Sequence, residues 1–413
     1  MKMFDIIVVG AGPAGLMAAG RAAELGAKVL LLEKNKQPGV KLLMSGGGRC
    51  NFTNLSTANL FAETVGSNGK WLLSALKYFG PQEVIDFFQE RGLTTKIEDN
   101  NRVFPDSDKA SDVLNILLAY NHANGVKMQV QASVVKIISA HNKITHLILK
   151  DGKKVQGKKY IIAVGGSSYP HSGSSGDAYN WLKSLGHSMI QARPALGQIY
   201  LKGAPYMLEG LSLENVSLSL YKESRLIDKE EASIMFTAKG LSGPAAINLS
   251  RKISLLPNDS LSLKLDCFPN EKSDFLDKRL QKIITANQRL DLKNIIAHII
   301  PKRLTDYYLG LLDISPNKKG SEFNHSERLA LVDLLKNKAM LISGLADFNE
   351  AMLTVGGVDL KEVEAKTMAS KNISNLYFAG ECLDLDGPTG GYNLQIAWAT
   401  GYVAGESAAE ALS

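Results

Sequence analysis

Residues 4–34 read FDIIVVGAGPAGLMAAGRAAELGAKVLLLEK, and this stretch decides the fold of the chain. An apolar run leads directly into a G-x-G-x-x-G motif that begins at Gly10, and small and apolar residues then continue at helical spacing. A second apolar run ends at Glu33. Strand, tight turn, helix, strand and acid, in this order, are the dinucleotide-binding fingerprint in its required context. The stretch therefore predicts a Rossmann-type α/β domain.

Each part of this motif has a separate task. Gly10 permits the turn, Gly12 lets the backbone approach a pyrophosphate, and Gly15 lets the helix pack closely on the strand. The helix N-terminus offers N–H groups and a partial positive charge to phosphates. Glu33, eighteen residues after Gly15, can accept the ribose hydroxyls. The residues predicted to bind the nucleotide here are Gly10, Gly12, Pro13, Ala14, Gly15, Glu33 and Lys34.

The composition of the chain limits its domain number, its partners and its compartment. A chain of 413 residues suggests two or three domains, and 45% hydrophobic residues easily supply a core. The net charge of +6 mildly favours an anionic partner. Three cysteines without a C-x-x-C pair argue against a disulfide frame or zinc site and favour the reducing cytoplasm. The seven histidines show no metal-ligand spacing, so we predict no metal, and no apolar run is long enough for a membrane span.

A glycine-rich loop follows the ribose-binding acid. Residues 41–54 read KLLMSGGGRCNFTN, where three consecutive glycines prevent regular structure. Backbone without side chains can pass close beneath a flat ring or a diphosphate. The alternative is a flexible surface loop. Because the loop leads directly from Glu33, we predict cofactor contacts from Lys41, Ser45, Gly47, Gly48, Arg49, Cys50 and Asn51.

A second glycine site separates FAD from NAD. A late apolar strand ends in glycine and an acid, and the glycine turn 386–391 opens a long helix. In glutathione-reductase-like FAD domains the acid holds the ribityl chain, and the helix N-terminus stabilises negative charge near N1 of the reduced flavin. The alternative is a plain strand–turn–helix of an NAD enzyme. The predicted flavin contacts here are Gly380, Glu381, Gly391, Tyr392, Asn393 and Leu394. No second G-x-G-x-x-G exists, so NAD(P)H, if it is the reductant, must dock transiently.

The middle of the chain predicts two more contacts and an insertion. Residues 126–163 read as short strands, and Val134 or Val135 is the expected adenine contact; a strand then ends in the tight turn Gly165-Gly166. Strand-like runs fill 195–265, with a turn at 239–244, and 271–340 is mostly helical. We predict an FAD-binding domain of residues 1–192 and 346–413, an inserted β domain of residues 193–270 and an inserted helical domain of residues 271–345, with the substrate between the FAD domain and the insertion.

Four stretches together resemble the YhiN/HI0933-like family of bacterial FAD-dependent oxidoreductases. They are KLLMSGGGRCNFTN (41–54), GLSGPAAINLS (240–250), GGVDLKEVEAKTMASK (356–371) and LYFAGECLDLDGPTGGYNLQIAWATGYVAG (376–405). The resemblance covers nearly the whole chain. It implies non-covalent FAD and a glutathione-reductase-like FAD domain interrupted by a β-barrel domain and a small helical domain.

The resemblance implies one of two reaction types. Some family members reduce activated C=C bonds, including an enzyme that forms dihydrouridine in 23S ribosomal RNA and a bile-acid reductase; another is an aminoacetone oxidase that forms peroxide. A flavin-carrying binding protein without turnover is the third alternative. The chain departs from the family at Ala238, where a histidine usually follows the threonine, so any role of that histidine is in doubt here.

Few protein groups are obligatory for flavin chemistry. Reduction of a C=C bond needs hydride from flavin N5 and a proton from the opposite face. Cys50 is the candidate catalytic residue, because a thiol in this loop can donate that proton; the alternative is a buried cysteine that packs under the ring. Arg49 can hold an anionic flavin, a substrate or the FAD phosphates. Glu381 and Asp384 suit cofactor binding or turn capping better than acid–base chemistry.

Among these alternatives we favour reduction of uracil in 23S ribosomal RNA to dihydrouridine. The resemblance supplies most of this choice, and charge adds a little. Residues 271–338 contain thirteen lysines and arginines against nine aspartates and glutamates, a net charge of +4. Phosphates of ribosomal RNA could meet Lys278, Arg279, Lys282, Arg289 and Lys293. The alternatives are a solvated helix face and a small-molecule substrate.

Overall fold

The computed structural model describes residues 3–257 and 260–412. Its strands are β1 (Phe4–Val9), β2 (Val29–Leu32), β3 (Thr53–Asn54), β4 (Thr95–Glu98), β5 (Arg102–Pro105), β6 (Lys127–Gln129), β7 (Val134–Ala140), β8 (Lys143–Leu149), β9 (Lys154–Val155), β10 (Gly157–Ile162), β11 (Met189–Ala195), β12 (Ile199–Leu201), β13 (Ser212–Lys222), β14 (Arg225–Thr237), β15 (Gly240–Ser242), β16 (Leu261–Asp266), β17 (Lys338–Leu345), β18 (Leu353–Val358) and β19 (Leu376–Phe378). Its helices are α1 (Pro13–Glu24), α2 (Val40–Met44), α3 (Ala58–Val65), α4 (Gly69–Tyr78), α5 (Pro81–Gln89), α6 (Ala110–Ala123), α7 (Asp177–Ser184), α8 (Pro244–Ser254), α9 (Ser273–Ala286), α10 (Leu292–Ile296), α11 (Lys302–Leu311), α12 (His325–Asn337) and α13 (Tyr392–Glu410).

A five-stranded parallel sheet carries the predicted fingerprint. Its strand order is β19-β10-β1-β2-β6. Parallel strands buried on both faces read as continuous apolar runs, which is why β1 and β2 are visible in the sequence. The carboxyl ends of parallel strands meet at one edge, so the turn after β1, the acid after β2 and the turn after β10 share that edge.

Helices α1 and α13 pack closely over this sheet. A side chain at Gly401 would place its Cβ 2.4 Å from the carbonyl oxygen of Ala14, and one at Gly405 would lie 2.3 Å from that of Ala18. The Arg21 guanidinium also bonds to the Glu406 carboxylate. The small residues of α13 therefore permit the backbone contact that joins the two ends of the sequence.

Two smaller antiparallel sheets flank these elements. One has the order β3-β5-β4 and the other β7-β8-β9. The second one confirms the prediction of short strands in 126–163. A further two-stranded sheet joins β11 and β18.

The described residues form two compact units. One contains the chain up to Pro194 together with the chain from Phe348 onward, and the other is Ala195–Asp347. Each unit has a separate cluster of buried hydrophobic residues, in the first around the parallel sheet and in the second around a barrel and its helices.

The second unit is built on a closed six-stranded barrel. Its strand order is β12-β15-β14-β13-β16-β17. Strand β17 comes from residues that the sequence analysis treats as helical, because Leu341 faces solvent and breaks the alternation of apolar and polar residues.

The segment 239–244, expected to be a turn, differs as well. It forms strand β15 and then the start of α8, a helix that the sequence analysis did not predict within 195–265. Pro244 occupies the first helical position, where its missing N–H costs nothing. Proline and glycine here mark a helix start, not only a turn.

Candidate functional site

The turn between β1 and α1 is made by close backbone contacts. A Cβ at Gly15 would lie 1.8 Å from the Gly10 carbonyl oxygen, and one at Gly10 would lie 2.5 Å from the Ala163 carbonyl oxygen. Gly12 differs, because no atom of the described residues outside its immediate chain neighbours lies within 4 Å of the position of its Cβ. Gly10 and Gly15 are thus required by the packing of the protein itself. Gly12 leaves space beside the start of the helix.

The start of α1 is suited to an anion. Among the described residues, no side chain accepts a hydrogen bond at this helix end, and its first turn contains no acidic residue. Pro13 and Ala14 form the first helical positions, so the N–H groups of this turn point out of the helix. Phosphate oxygens are the usual partners of such a helix end.

Glu33 is held by the backbone at the end of β2. One of its carboxylate oxygens accepts the Ala11 N–H at 2.8 Å, and the other accepts the Asn35 N–H at 2.8 Å. The residue is 7% exposed, so the carboxylate is desolvated but hydrogen-bonded. Each oxygen keeps a lone pair for another donor, such as a ribose hydroxyl.

The predicted adenine contact lies beside this acid. The N–H of Ala132 bonds to the Glu33 carbonyl oxygen at 2.8 Å, which brings the chain before Val134 next to the end of β2. Val134 is buried and Val135 is half exposed. Lys34 points to α7, where its ammonium lies 2.6 Å from the Asp177 carboxylate.

The glycine loop is ordered and strained. A short 3-10 helix spans Ser45–Gly48, and Gly46 and Gly47 have φ values of 56° and 66°. Cys50 also has a positive φ of 62°, which is unusual for a residue with a side chain. Such strain persists only where the surroundings enforce it, and it is common at functional sites. The Cys50 N–H bonds to the Ser45 carbonyl oxygen at 3.0 Å, which closes the loop.

The Cys50 thiol is enclosed by protein. The residue is fully buried, and burial raises the pKa of the thiol to about 12. The thiol is therefore protonated at neutral pH. It can donate a proton but cannot act as a thiolate nucleophile.

Arg49 is already paired with carboxylates. Its Nε donates to the Asp108 carboxylate at 2.8 Å, and its guanidinium also bonds to Glu98. The guanidinium carbon lies 4.2 Å from the centre of the Phe104 ring. The pKa of Glu98 is lowered mainly by Arg49, whereas that of Asp108 is lowered first by Lys96 and then by Arg49. Arg49 thus joins the loop to the β4–β5 hairpin, a role that the sequence analysis missed.

The end of the loop packs against the start of α13. With its amide oriented to satisfy both ends, Asn51 accepts the Gly391 N–H at 3.0 Å. The Thr53 hydroxyl bonds to the Gln395 side chain at 2.6 Å, and the Trp398 indole donates to the Phe52 carbonyl at 2.8 Å. Two of the predicted contact regions, 300 or more residues apart in sequence, therefore meet in the structure.

Tyr392, Asn393 and Leu394 form the first turn of α13. The Asn393 amide donates to the Gly387 carbonyl at 2.9 Å, and its oxygen accepts the Gly387 N–H at 2.9 Å, which fixes the glycine turn. Tyr392 packs against Phe61, and Leu394 is partly buried. Gly391 has a φ of 95° and lies so close to the Thr53 carbonyl that a Cβ would clash.

Glu381 connects three segments. Its Oε2 lies 2.6 Å from the Lys41 ammonium, and its Oε1 accepts the Thr354 N–H at 2.8 Å. A Cβ at Gly166 would lie 3.0 Å from that Oε1, and one at Gly165 would clash with Ser174. The structure therefore brings Lys41, Gly166 and Glu381 together, as expected of residues that share one site.

Thr354 is a member of this group that the sequence analysis missed. The residue is buried, and its hydroxyl accepts the N–H groups of Ser167 and Ser168 at 2.8 and 3.0 Å. It ties the turn after β10 to Glu381. A lone threonine before two glycines gives no local sequence signal of such a role.

These observations fit a bound dinucleotide. The space beside Gly12 and the remaining lone pairs of Glu33 are in the positions that the fingerprint requires. Among the described residues, no group of three or more histidines, cysteines, aspartates or glutamates could hold a metal ion. In the same part of the chain, no helix combines the length and apolar character needed to cross a membrane.

The parallel sheet, the fingerprint turn and the late strand–turn–helix define the chain as an FAD-dependent oxidoreductase of the Rossmann type. A family profile described as "HI0933-like protein Rossmann domain" matches residues 4–407, and the chain belongs to this family.

Several relatives match over nearly their whole length. The chain is 30% identical over 414 residues to a 3-dehydro-bile acid delta(4,6)-reductase from Clostridium scindens, covering 99% of this chain and 100% of the relative. It is 31% identical to a ribosomal RNA dihydrouridine synthase from Escherichia coli, covering 97% of each chain. A Haemophilus influenzae protein with the same name is 29% identical, covering 96% of each.

Solved structures share the fold at lower identity. A 3-ketosteroid-Δ4-(5α)-dehydrogenase from Rhodococcus jostii aligns with a TM-score of 0.57 and 14% identity, covering 98% of this chain and 97% of the other. A flavocytochrome c3 fumarate reductase aligns with a TM-score of 0.53 and 16% identity, covering 99% and 78%. The fold of flavin-dependent dehydrogenases and reductases thus extends over the chain.

Proposed function

We propose that the protein reduces uracil in ribosomal RNA to dihydrouridine. The observation that carries this proposal is the match, over 97% and 96% of both chains, to two proteins named ribosomal RNA dihydrouridine synthase. The third full-length relative is also named a reductase, which favours reduction over the alternative of amine oxidation. NAD(P)H is the proposed reductant, and it would dock transiently.

The proposed FAD site joins the two glycine-rich regions. The turn at Gly12 and the start of α1 would hold the pyrophosphate, Glu33 the ribose and the chain at Val134 the adenine. Glu381 would accept the ribityl hydroxyls. The start of α13 would place its partial positive charge at the flavin ring. Residues 1–192 and 346–413 would form this FAD-binding domain, with 193–270 and 271–345 as its inserted parts.

When bound, FAD supplies the hydride from N5. The protein must then provide the proton on the opposite face of the C=C bond. Cys50 is the proposed donor because its thiol is protonated at neutral pH and lies in the loop that packs on α13.

Cations of the second unit would meet the RNA backbone. Lys278 and Lys282 stand one turn apart on the exposed face of α9, and Arg289 is exposed beyond its end. None of the three has a carboxylate partner in the part of the chain that the structure describes. They are the cations available to phosphates.

Two other predicted phosphate ligands are already engaged. Arg279 forms an ion pair with Glu271 at 2.7 Å and lies 4.8 Å from the centre of the Phe268 ring. Lys293 donates to the Asn317 side chain at 2.6 Å. We therefore assign the proposed RNA contact to Lys278, Lys282 and Arg289.

Deletion of the gene followed by mapping of dihydrouridine in the host's 23S ribosomal RNA is the direct test. We expect the modification to disappear and to return with the wild-type gene. The purified protein should bind unmodified RNA with an affinity that falls steeply with salt, by about one unit of log–log slope per phosphate contact. A Lys278→Ala, Lys282→Ala double variant should lower that slope by about two units. Unchanged dihydrouridine in the deletion strain would contradict the proposal.

Uracil must leave its stack to reach a flavin, which costs a few kcal/mol. An unpaired uracil should therefore react faster than the same base in a duplex.

Two alternative activities, oxidation of a small amine and reduction of a steroid enone, are tested with the same protein. After anaerobic photoreduction, an oxidase would be reoxidised quickly by air, whereas a reductase would react slowly with oxygen and quickly with its acceptor. Peroxide formed from aminoacetone would favour the oxidase, and rapid reduction of a steroid enone would favour a substrate like that of the Clostridium scindens relative.

A further inference from the structure

A tyrosine beside the turn after β10 was not among the predicted site residues. Tyr179 lies on α7, whose first residues bond back to that turn: the Gly176 N–H donates to the Gly166 carbonyl oxygen at 3.0 Å. A Cβ at Gly176 would lie 3.6 Å from the Tyr179 ring and 2.6 Å from the Ser167 hydroxyl. The tyrosine ring therefore lies at the start of α7, which is hydrogen-bonded to Gly166, and a Cβ at Gly166 would lie 3.0 Å from the Glu381 carboxylate.

The hydroxyl of Tyr179 is buried and unpaired. It has no hydrogen-bond partner among the described residues. The Ser167 hydroxyl is near enough to lower the pKa of the phenol slightly, but the two groups do not meet hydrogen-bond geometry. Buried polar groups are nearly always paired, so an unpaired one needs an explanation.

Other buried tyrosines of the first unit do not share this property. The Tyr160 hydroxyl accepts the Gly157 N–H at 3.0 Å, and the Tyr120 hydroxyl bonds to the Glu24 carboxylate at 3.0 Å. Burial alone therefore does not leave a phenol unpaired in this fold. What distinguishes Tyr179 is its place at the carboxyl edge of the parallel sheet, beside Gly166 and Glu381.

We propose that the Tyr179 hydroxyl is a ligand of bound FAD and donates its hydrogen bond to an oxygen of the ribityl–diphosphate chain. The charge of Glu381 reaches this phenol, and the helix that carries Tyr179 is hydrogen-bonded to Gly166. Glu381 and Gly166 both belong to the proposed cofactor site. The inference rests on FAD binding and is independent of the identity of the substrate.

The electrostatics agree with a donor role. Burial, and then the negative charge of Glu381, raise the pKa of Tyr179 well above its ordinary value. The phenol therefore keeps its proton at neutral pH. The phenol makes no hydrogen bond to Glu381 or to any other described residue, which leaves its proton for another acceptor. Phosphate and ribityl oxygens are acceptors of the required kind.

The test is Tyr179→Phe. Removing an unpaired hydroxyl takes nothing from the free protein, so the apoprotein should melt at the wild-type temperature or slightly above it. FAD should bind about tenfold more weakly, because a hydrogen bond to a charged or polar cofactor oxygen is lost. Affinity is measured by quenching of flavin fluorescence on reconstitution. The rate of FAD release, followed as the return of flavin fluorescence after strong dilution of the holoenzyme, should rise by a similar factor.

Tyr160→Phe is the matched control. Its hydroxyl has partners inside the protein, so its loss should lower the melting temperature of the apoprotein and leave the FAD affinity unchanged. The proposal is overturned if Tyr179→Phe binds FAD as tightly as the wild type. It is also overturned if the variant lowers the melting temperature of the apoprotein, because the hydroxyl would then already be paired within the protein.

Discussion

Two parts of the candidate site are built in different ways. The N-terminal glycine site, which is the Gly10–Gly15 turn with Glu33, is held mainly by contacts with backbone groups, and all of its own residues lie within one short stretch of the sequence. The loop-and-helix site, which is the loop 41–54 with Glu381 and the start of α13, is held by side chains. Lys41 and Glu381 are 340 residues apart, and Thr53 and Gln395 are 342 apart.

The difference shows what each kind of site can tolerate. A turn made by close backbone contacts has no room for a side chain, so a single added methyl group can disrupt the turn. A site made by paired side chains distributes the cost over several contacts, each worth on the order of 1 kcal/mol. Substitutions in the first should therefore have all-or-none effects, and those in the second graded ones.

The largest effect is expected for Gly15→Ala. Its Cβ would lie 1.8 Å from the Gly10 carbonyl oxygen, so either α1 or the turn must move. We expect a loss of about 4 kcal/mol or more in the free energy of unfolding, seen as a low soluble yield and a strongly lowered melting temperature. Gly310→Ala, in α11 with no atom within 4 Å of its Cβ, is the control and should be neutral or stabilising. A stable Gly15→Ala protein would refute the close contact.

Gly12→Val should separate folding from cofactor binding. In the part of the chain that the structure describes, its Cβ would meet no atom within 4 Å beyond its chain neighbours, and its backbone angles suit any residue. The apoprotein should therefore melt near the wild-type temperature. The side chain would fill the space that the pyrophosphate needs, so the purified variant should be colourless. The absorbance at flavin wavelengths, compared with protein concentration, measures this. Full yellow colour would place the pyrophosphate elsewhere.

Cys50→Ala should affect the reaction more than the binding of FAD. If the thiol donates the proton, the rate of reduction of the acceptor should fall about 100-fold, with the flavin spectrum retained. Cys50→Ser should recover part of the rate, since a hydroxyl can also donate. Burial raises the pKa of the thiol to about 12, so the wild-type rate should show no thiol ionisation between pH 6 and 9. An unchanged rate in Cys50→Ala would leave the cysteine as a packing residue.

The smallest effect is expected for Arg49→Met, on the melting temperature at acidic pH. The folded-state pKa values of Glu98 and Asp108 lie below their ordinary values of 4.5 and 3.8, so the stability that these carboxylates contribute is present above those values and is lost as the pH falls through the lower folded-state values. Without Arg49 both shifts shrink, and the melting temperature should fall less steeply below pH 4.5 than in the wild type.

Lys153→Met is the control for this comparison. Lys153 pairs with Asp151 on the exposed surface, away from both sites, and should alter the acid profile only slightly. Parallel acid profiles of Arg49→Met and the wild type would show that Arg49 does not stabilise the loop through these carboxylates.

The same difference explains what could be predicted from the sequence. The N-terminal glycine site was recognisable because its strand, turn, helix and acid follow one another, and the structure confirms β1, α1 and β2. The partners of Arg49 were not recognisable from the sequence, because Glu98 and Asp108 are 49 and 59 residues away. An arginine among glycines looks like an anion ligand until the chain folds back on it.

Two elements of the second unit and one residue of the first were also not predicted from the sequence. Strand β17 was hidden because Leu341 is exposed and because α12 ends directly before it. Helix α8 was hidden because Gly243 and Pro244 at its start indicate a turn as well as a helix N-terminus. Thr354 was missed since its hydrogen bonds reach residues 186 and 187 positions away, which no local pattern can show.

The contact of α13 with α1 affects how the protein folds during its synthesis on the ribosome. Arg21 and Glu406, which bond across these two helices, are 385 residues apart. At about 5–20 residues per second, α1 waits on the order of 20–80 s for its partner helix. Until then its glycine- and alanine-rich face is uncovered and the two glycine regions cannot meet. With the proposed FAD site, a chain interrupted before 392–410 would lack the contacts from α13 and would remain colourless, so bound FAD would mark a completely synthesised chain.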